Sequence, residues 1–167
     1  LFGMMRAGST NQVRLSSGVI HYRVLGDGPP LVLLHGLSGS GRWWRRNTAI
    51  LARLFRVHLL DLVGFGHSRG QPFALTEAAL GVIEWMDHLN LDQAHLIGHS
   101  MGGYITIDLA AHFPQRVRKI VLVDALALPM DRSFIRSAFG LAHALRYMPF
   151  NFLPVLVGDA FQAGPLT

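Results

Sequence analysis

The stretch AHLIGHSMGGYITIDLAAHF, residues 94–113, decides how this chain is read. Ala94 to Ile97 is a short, largely apolar run that reads as a strand, and Met101 to Phe113, closed by Pro114, has the composition of a helix. Between them stands Gly98-His99-Ser100-Met101-Gly102. A serine hydroxyl is a poor nucleophile and needs exposure, a base, and donors for the oxyanion it creates. A sharp turn from strand to helix supplies the exposure, and small residues two positions before and after let strand and helix approach. Ser100 is therefore the candidate nucleophile, with Gly98, His99 and Gly102 supporting the turn. The same spacing recurs at Gly66-His67-Ser68-Arg69-Gly70, but no helix starts there, because Gln71 and Pro72 follow. Ser68 reads as a loop serine that satisfies backbone groups.

The flanking sequence repeats this alternation. Residues 12–15 and 19–25 alternate apolar with polar around Ser17-Gly18, as a hairpin does. Leu31 to Leu34 is a continuous apolar run, the mark of a strand buried on both faces of a parallel sheet, and Val57 to Leu60 reads as another buried strand. Ile120 to Val123 is a further strand, ending at Asp124. Helices are expected over Trp43 to Leu54 and over Leu75 to Leu89, the latter begun by Thr76 or Gln71. The fold class is therefore an open, mostly parallel α/β sheet with flanking helices. In such sheets ligands bind beyond the carboxyl ends of the strands. The conspicuous polar and glycine clusters fall at those ends: His35-Gly36, the loop from Asp61 to Gly70, Gly98 to Gly103, and Asp124.

Two backbone amides are expected to face the oxyanion. One is that of Met101, at a helix start where N–H groups lack partners and the dipole favours negative charge. The other is that of Leu37, with His35-Gly36 holding its loop; alone, that pair would read only as a strand-ending turn. Gly36-Leu37-Ser38-Gly39-Ser40-Gly41 also follows a strand, but Arg42 and Trp43 stand where a phosphate loop needs Lys and Ser or Thr. Nucleotide binding is not expected. No histidine pair at i, i+4 has a third ligand at hand, so no metal is expected.

Composition narrows the class further. The 167 residues are half hydrophobic, 15% charged and free of cysteine, which fits a globular domain and excludes disulfides and thiolate metal sites. The formal charge of +5 rests on arginine, with Lys119 the one lysine. The arginines are scattered apart from Arg42, Arg45 and Arg46, which reads as solvated faces rather than a nucleic-acid groove. No secretory leader and no run of ~20 apolar residues is evident. The expectation is a cytoplasmic protein with no nucleic-acid or membrane partner. The first residue, Leu1, points to an incomplete start.

Taken in order, Leu31-Val32-Leu33-Leu34-His35-Gly36, Asp61-Leu62-Val63-Gly64-Phe65-Gly66-His67-Ser68, Gly98-His99-Ser100-Met101-Gly102-Gly103 and Ile120-Val121-Leu122-Val123-Asp124 resemble the α/β-hydrolase superfamily. The relevant group is its single-domain esterase, haloperoxidase-like and carbon–carbon bond hydrolase relatives. The resemblance implies residues 12–125 as the N-terminal part of the core and 126–167 as the start of a helical cap, with helices over 131–146 and 153–161. It implies Ser100 as nucleophile, Leu37 and Met101 as oxyanion amides, and no cofactor. It also places the catalytic acid and base after later strands, so both are expected beyond Thr167 and the chain by itself is expected to be inactive. A substitute set, Ser100 with Asp124 and His143, obeys the family order of serine, acid and histidine. The expected activity is hydrolysis of a small, fairly apolar ester or related acyl substrate through an acyl-enzyme. The rival is a ligand-binding protein that keeps the fold without the chemistry.

Overall fold

The structure is a computed structural model in which residues 10–126 are described. The cap expected from 126 onward, with its two helices and His143, lies outside the described residues beyond its first position.

Strands β1 (Asn11–Leu15) and β2 (Gly18–Leu25) form the hairpin, with Val13 opposite Ile20. β2 then runs antiparallel to β4 (Arg56–Asp61). From β4 the sheet continues in parallel through β3 (Pro30–Leu34), β5 (Ala94–His99) and β6 (Val117–Val123). The spatial order is β1-β2-β4-β3-β5-β6. Parallel neighbours need crossovers, and three helices supply them: α1 (Arg45–Leu51), α2 (Leu75–His88) and α3 (Met101–His112).

The continuous apolar run of β3 has the expected cause. Val32 and Leu34 face a core shared with Val82, Trp85 and Met86 of α2 and Ile105 and Leu109 of α3. Leu31 and Leu33 face the opposite way, into a smaller cluster with Ala52, Val57 and Leu59 beneath α1. Both faces of β3 are therefore dry, and none of Val32, Leu33 and Leu34 has measurable exposure. Among the described residues β6 is the edge strand, and Ile120 to Val123 are 36–52% exposed.

The structure corrects two expectations. The helix expected over Trp43 to Leu54 is a 3-10 turn at Gly41–Trp44 followed by the shorter α1. Turns continue to Leu54, where Gly28 packs against the Leu54 carbonyl and Arg56 N–H bonds to the Pro29 carbonyl at 3.0 Å, which turns the chain into β4. Neither Thr76 nor Gln71 caps α2. Ala74 holds the cap position without a side-chain bond. Gln71 instead spends its amide on Val19 N–H (2.6 Å), Val19 carbonyl (3.1 Å) and Ser68 carbonyl (2.8 Å).

The chain leaves β3 for β4 on one side, then returns to β5 on the other. The crevice beyond the carboxyl ends of β3 and β5 lies at this change of direction, where open α/β sheets bind ligands. Gly36 follows one of these strands and Ser100 the other.

Candidate active site at the β5–α3 turn

One residue makes the bend between β5 and α3. Ser100 has φ 51° and ψ −114°, a conformation that costs a non-glycine residue on the order of 1–3 kcal/mol. Three backbone bonds hold it there. Ser100 N–H donates to the Val123 carbonyl at 3.0 Å, and its carbonyl accepts Tyr104 N–H (3.1 Å) and Leu126 N–H (3.0 Å). The flanking glycines are required by contact. A β-carbon on Gly98 would collide with the Gly102 carbonyl and the Thr106 hydroxyl, and one on Gly102 with the Leu34 carbonyl. Ser100 itself is half-buried, and among the described residues no group hydrogen-bonds its Oγ.

The turn after β3 meets this bend. A β-carbon at Gly36 would lie 2.9 Å from His99 Nδ1 and 3.2 Å from Ser100 Cβ, so the two turns touch through a position only glycine can fill. Leu37 follows with its side chain 53% exposed, and Ser38 adopts φ 60°. Gly39 N–H closes the turn on the Gly36 carbonyl at 3.0 Å.

His35 anchors that turn from beneath. It has no exposure; its Nδ1 lies 2.8 Å from the Gly36 carbonyl, and its Nε2 accepts Leu62 N–H at 3.1 Å. A ring nitrogen that accepts an amide proton carries none itself, so these contacts assign the proton to Nδ1 and the ring is neutral. Burial, the largest influence, pushes its pKa below the usual histidine value. His35 is committed on both sides.

The His99 ring lies 5.0 Å from that of Trp43. Burial lowers its pKa, and the nearby Asp124 carboxylate works in the opposite direction. Asp124 follows β6 at φ 43° with an exposed side chain. The structure therefore brings Gly36, Gly98, His99, Ser100, Met101 and Gly102 together and sets Asp124 near His99. Its expected partner, His143, lies outside the described residues.

Sequence reasoning missed the part played by Asp61. Its carboxylate accepts Gly41 N–H (2.7 Å) through Oδ1, and His67 N–H (2.9 Å) and His67 Nδ1 (2.7 Å) through Oδ2. Burial alone would raise its pKa, but these donors outweigh it and hold the carboxyl below the ordinary value. Asp61 thereby ties the end of β4 to the segment carrying Leu37. An aspartate at the carboxyl end of an apolar strand, followed by Gly-x-Gly, was the available signal. Ser68, in the second Gly-x-Ser-x-Gly, is wholly buried; its Oγ donates to the Asp61 carbonyl (2.7 Å) and accepts His21 N–H (2.8 Å). It sits in a 3-10 turn, Gly66–Ser68, with no helix behind it.

A cavity of about 140 Å³ lined by Ile20, Leu62, Val63, Phe73 and Ala78 lies beside α2, and Ser100 does not border it. Among the described residues no cluster of metal-ligating side chains occurs, and no helix is long and apolar enough to cross a membrane.

A strained serine between a parallel strand and a helix, set against a His-Gly turn, defines the class. Residues 29–163 match the alpha/beta hydrolase fold family, and the chain belongs to it. It is 37% identical over 135 residues to the abhydrolase domain-containing protein abhd-5.2 of Caenorhabditis elegans, covering 77% of this chain and 30% of that protein. Among solved structures it is similar to a hydrolase from Pseudomonas aeruginosa PA01 (TM-score 0.76, 26% identity, 97% of this chain and 69% of that one). It is also similar to naproxen esterase from Bacillus subtilis (TM-score 0.74, 27% identity, 95% and 61%). The chain spans 28–45% of the length of the curated relatives it matches.

Proposed function

We propose that this chain carries the nucleophile and oxyanion hole of a serine hydrolase that acts by acyl transfer on a small, fairly apolar ester or related acyl substrate. The observation that carries the reading is the backbone of Ser100. A strained φ of 51° persists only where the surroundings enforce it, and its effect is to present Oγ at the carboxyl end of the sheet. Ser100 Oγ attacks the acyl carbon while its proton passes to a histidine base. The carbonyl oxygen becomes an oxyanion that the N–H groups of Leu37 and Met101 receive. Collapse expels the alcohol, which takes the proton held by the base, and leaves the acyl group on Ser100; water, giving its proton to the same base, attacks that ester, and release of the acid returns the proton to Ser100 Oγ. Each oxyanion donor contributes about 2.7–4 kcal/mol to the transition state in sites of this kind. The likeness to an esterase supports the ester preference. Among the described residues none stands as the base, so the reading concerns the full-length protein.

Rapid mixing of the full-length protein with a p-nitrophenyl ester tests it. A burst of nitrophenol stoichiometric with enzyme, absent in Ser100→Ala, is expected. A well-folded protein that binds the ester without releasing nitrophenol would instead be a binding protein on a hydrolase fold.

A further inference from the structure

The segment from Gly28 to Leu60 holds five arginines (Arg42, Arg45, Arg46, Arg53 and Arg56) and no carboxylate. The formal charge of the whole chain is +5, so the other ten basic and ten acidic side chains cancel and this one segment accounts for the net charge. All five arginines are exposed. Beside them stand the two most exposed large apolar side chains among the described residues, Ile50 at 64% and Leu54 at 70%.

Four of them fall on one face. Arg46, Ile50 and Arg53 follow at i, i+4 and i+7, and Leu54 stands four beyond Ile50. The winding carries past α1, since Arg53 N–H bonds to the Ile50 carbonyl (3.3 Å) and Leu54 N–H to the Leu51 carbonyl (3.0 Å). The opposite face is spent: Thr48 and Ala52 are buried, and Trp44, Leu51 and Phe55 pack on the Leu31–Leu33–Val57–Leu59 cluster. Ile50 and Leu54 thus serve no core of the described residues. Two carboxylates, Asp61 and Asp27, bound the segment. Asp61 is buried and engaged with Gly41 and His67, and Asp27 marks the far end, where its neighbours Gly26 and Gly28 meet Phe55 and Leu54.

We propose that this face docks on an anionic phospholipid surface, with the arginines at the headgroups and Ile50 and Leu54 inserted between them. Basic side chains flanking apolar ones are what holds a helix in the plane of such an interface. The other occupants fit less well. A second copy would set like charges against each other, and residues 127–167 carry three arginines against two aspartates. A nucleic acid would satisfy the arginines but gain nothing from exposed aliphatic tips, because its bases stack on aromatic rings. Docking of this kind needs no membrane-crossing helix.

Flotation of the full chain with vesicles tests the proposal. Binding to phosphatidylcholine–phosphatidylserine vesicles, with little to phosphatidylcholine alone and weakening as salt rises, is the expected result. Arg46→Gln/Arg53→Gln lowers partitioning about 25-fold, some fivefold per arginine. Ile50→Ser/Leu54→Ser lowers it about tenfold or more by a separate route. Arg118→Gln, on β6, changes it little. Both double variants alter only exposed side chains, and circular dichroism confirms that they remain folded. The proposal is overturned by equal binding to both vesicle types, by no binding, or by double variants that bind like the parent. It is equally overturned if Arg118→Gln weakens binding as much as Arg46→Gln/Arg53→Gln, or if a mixed-sequence DNA duplex binds more tightly than the vesicles.

Discussion

The carboxylate of Asp61 accepts the backbone N–H of Gly41 at 2.7 Å, and this bond ties the end of β4 to the segment that presents Leu37. Replacing Asp61 with Asn removes the charge from an acceptor of three hydrogen bonds. Charge-assisted bonds contribute about 1.5–3 kcal/mol each, and the loss of unfolding free energy at neutral pH is expected to fall in that range. The sign with pH follows from the depressed pKa. The carboxylate's contribution is present above the ordinary value of 3.8 and is lost as pH falls through the lower folded value. Urea titrations of parent and variant should therefore converge in acid; a gap that stays constant down to low pH would contradict the assignment.

His58 sets a second pH dependence. It is fully buried against the edge of Trp85, neither ring nitrogen has a partner among the described residues, and burial pushes its pKa down to about 4. The unfolded chain takes up a proton near 6.5 while the folded one does not, so stability declines as pH drops from about 6.5 to about 4. The decline attributable to this ring is about 3 kcal/mol. His58→Phe should flatten the profile in that window, and an unchanged slope would place the effect elsewhere.

The bend at Ser100 has an energetic signature distinct from its chemistry. Glycine adopts positive φ freely, whereas alanine does not. Ser100→Gly should be more stable than Ser100→Ala by about 1–3 kcal/mol in chemical denaturation. Equal stability would mean that the backbone there is not strained.

Ser68 separates the two Gly-x-Ser-x-Gly sequences. Ser68→Ala leaves the buried His21 N–H without its acceptor and should cost about 1–3 kcal/mol. In the full-length protein it should leave ester hydrolysis intact once the protein is folded. Loss of turnover in a stable Ser68→Ala protein would undo the choice of Ser100.

How much of this was legible beforehand depends on the range of the interactions. β3 was readable because burial on both faces demands uninterrupted apolar residues, and the Ser100 turn because its glycines answer local collisions. The point where the chain leaves the α1 turns for β4 was not readable, since it is set by Gly28 and Pro29, which reach it from a distant part of the chain. Gln71 was misassigned to α2 for the same reason: its partner Val19 lies 52 residues away. The Asp61 network joins groups from β4, the Gly41 turn and the His67 loop, and only the folded sheet brings them to one place.

The most direct measurement is to treat the full-length protein with a fluorophosphonate and map the modified residue by peptide mass spectrometry. Modification is expected at Ser100, abolished by Ser100→Ala and retained in Ser68→Ala. Modification at Ser68, or a folded and intact protein that takes up no label, would contradict it.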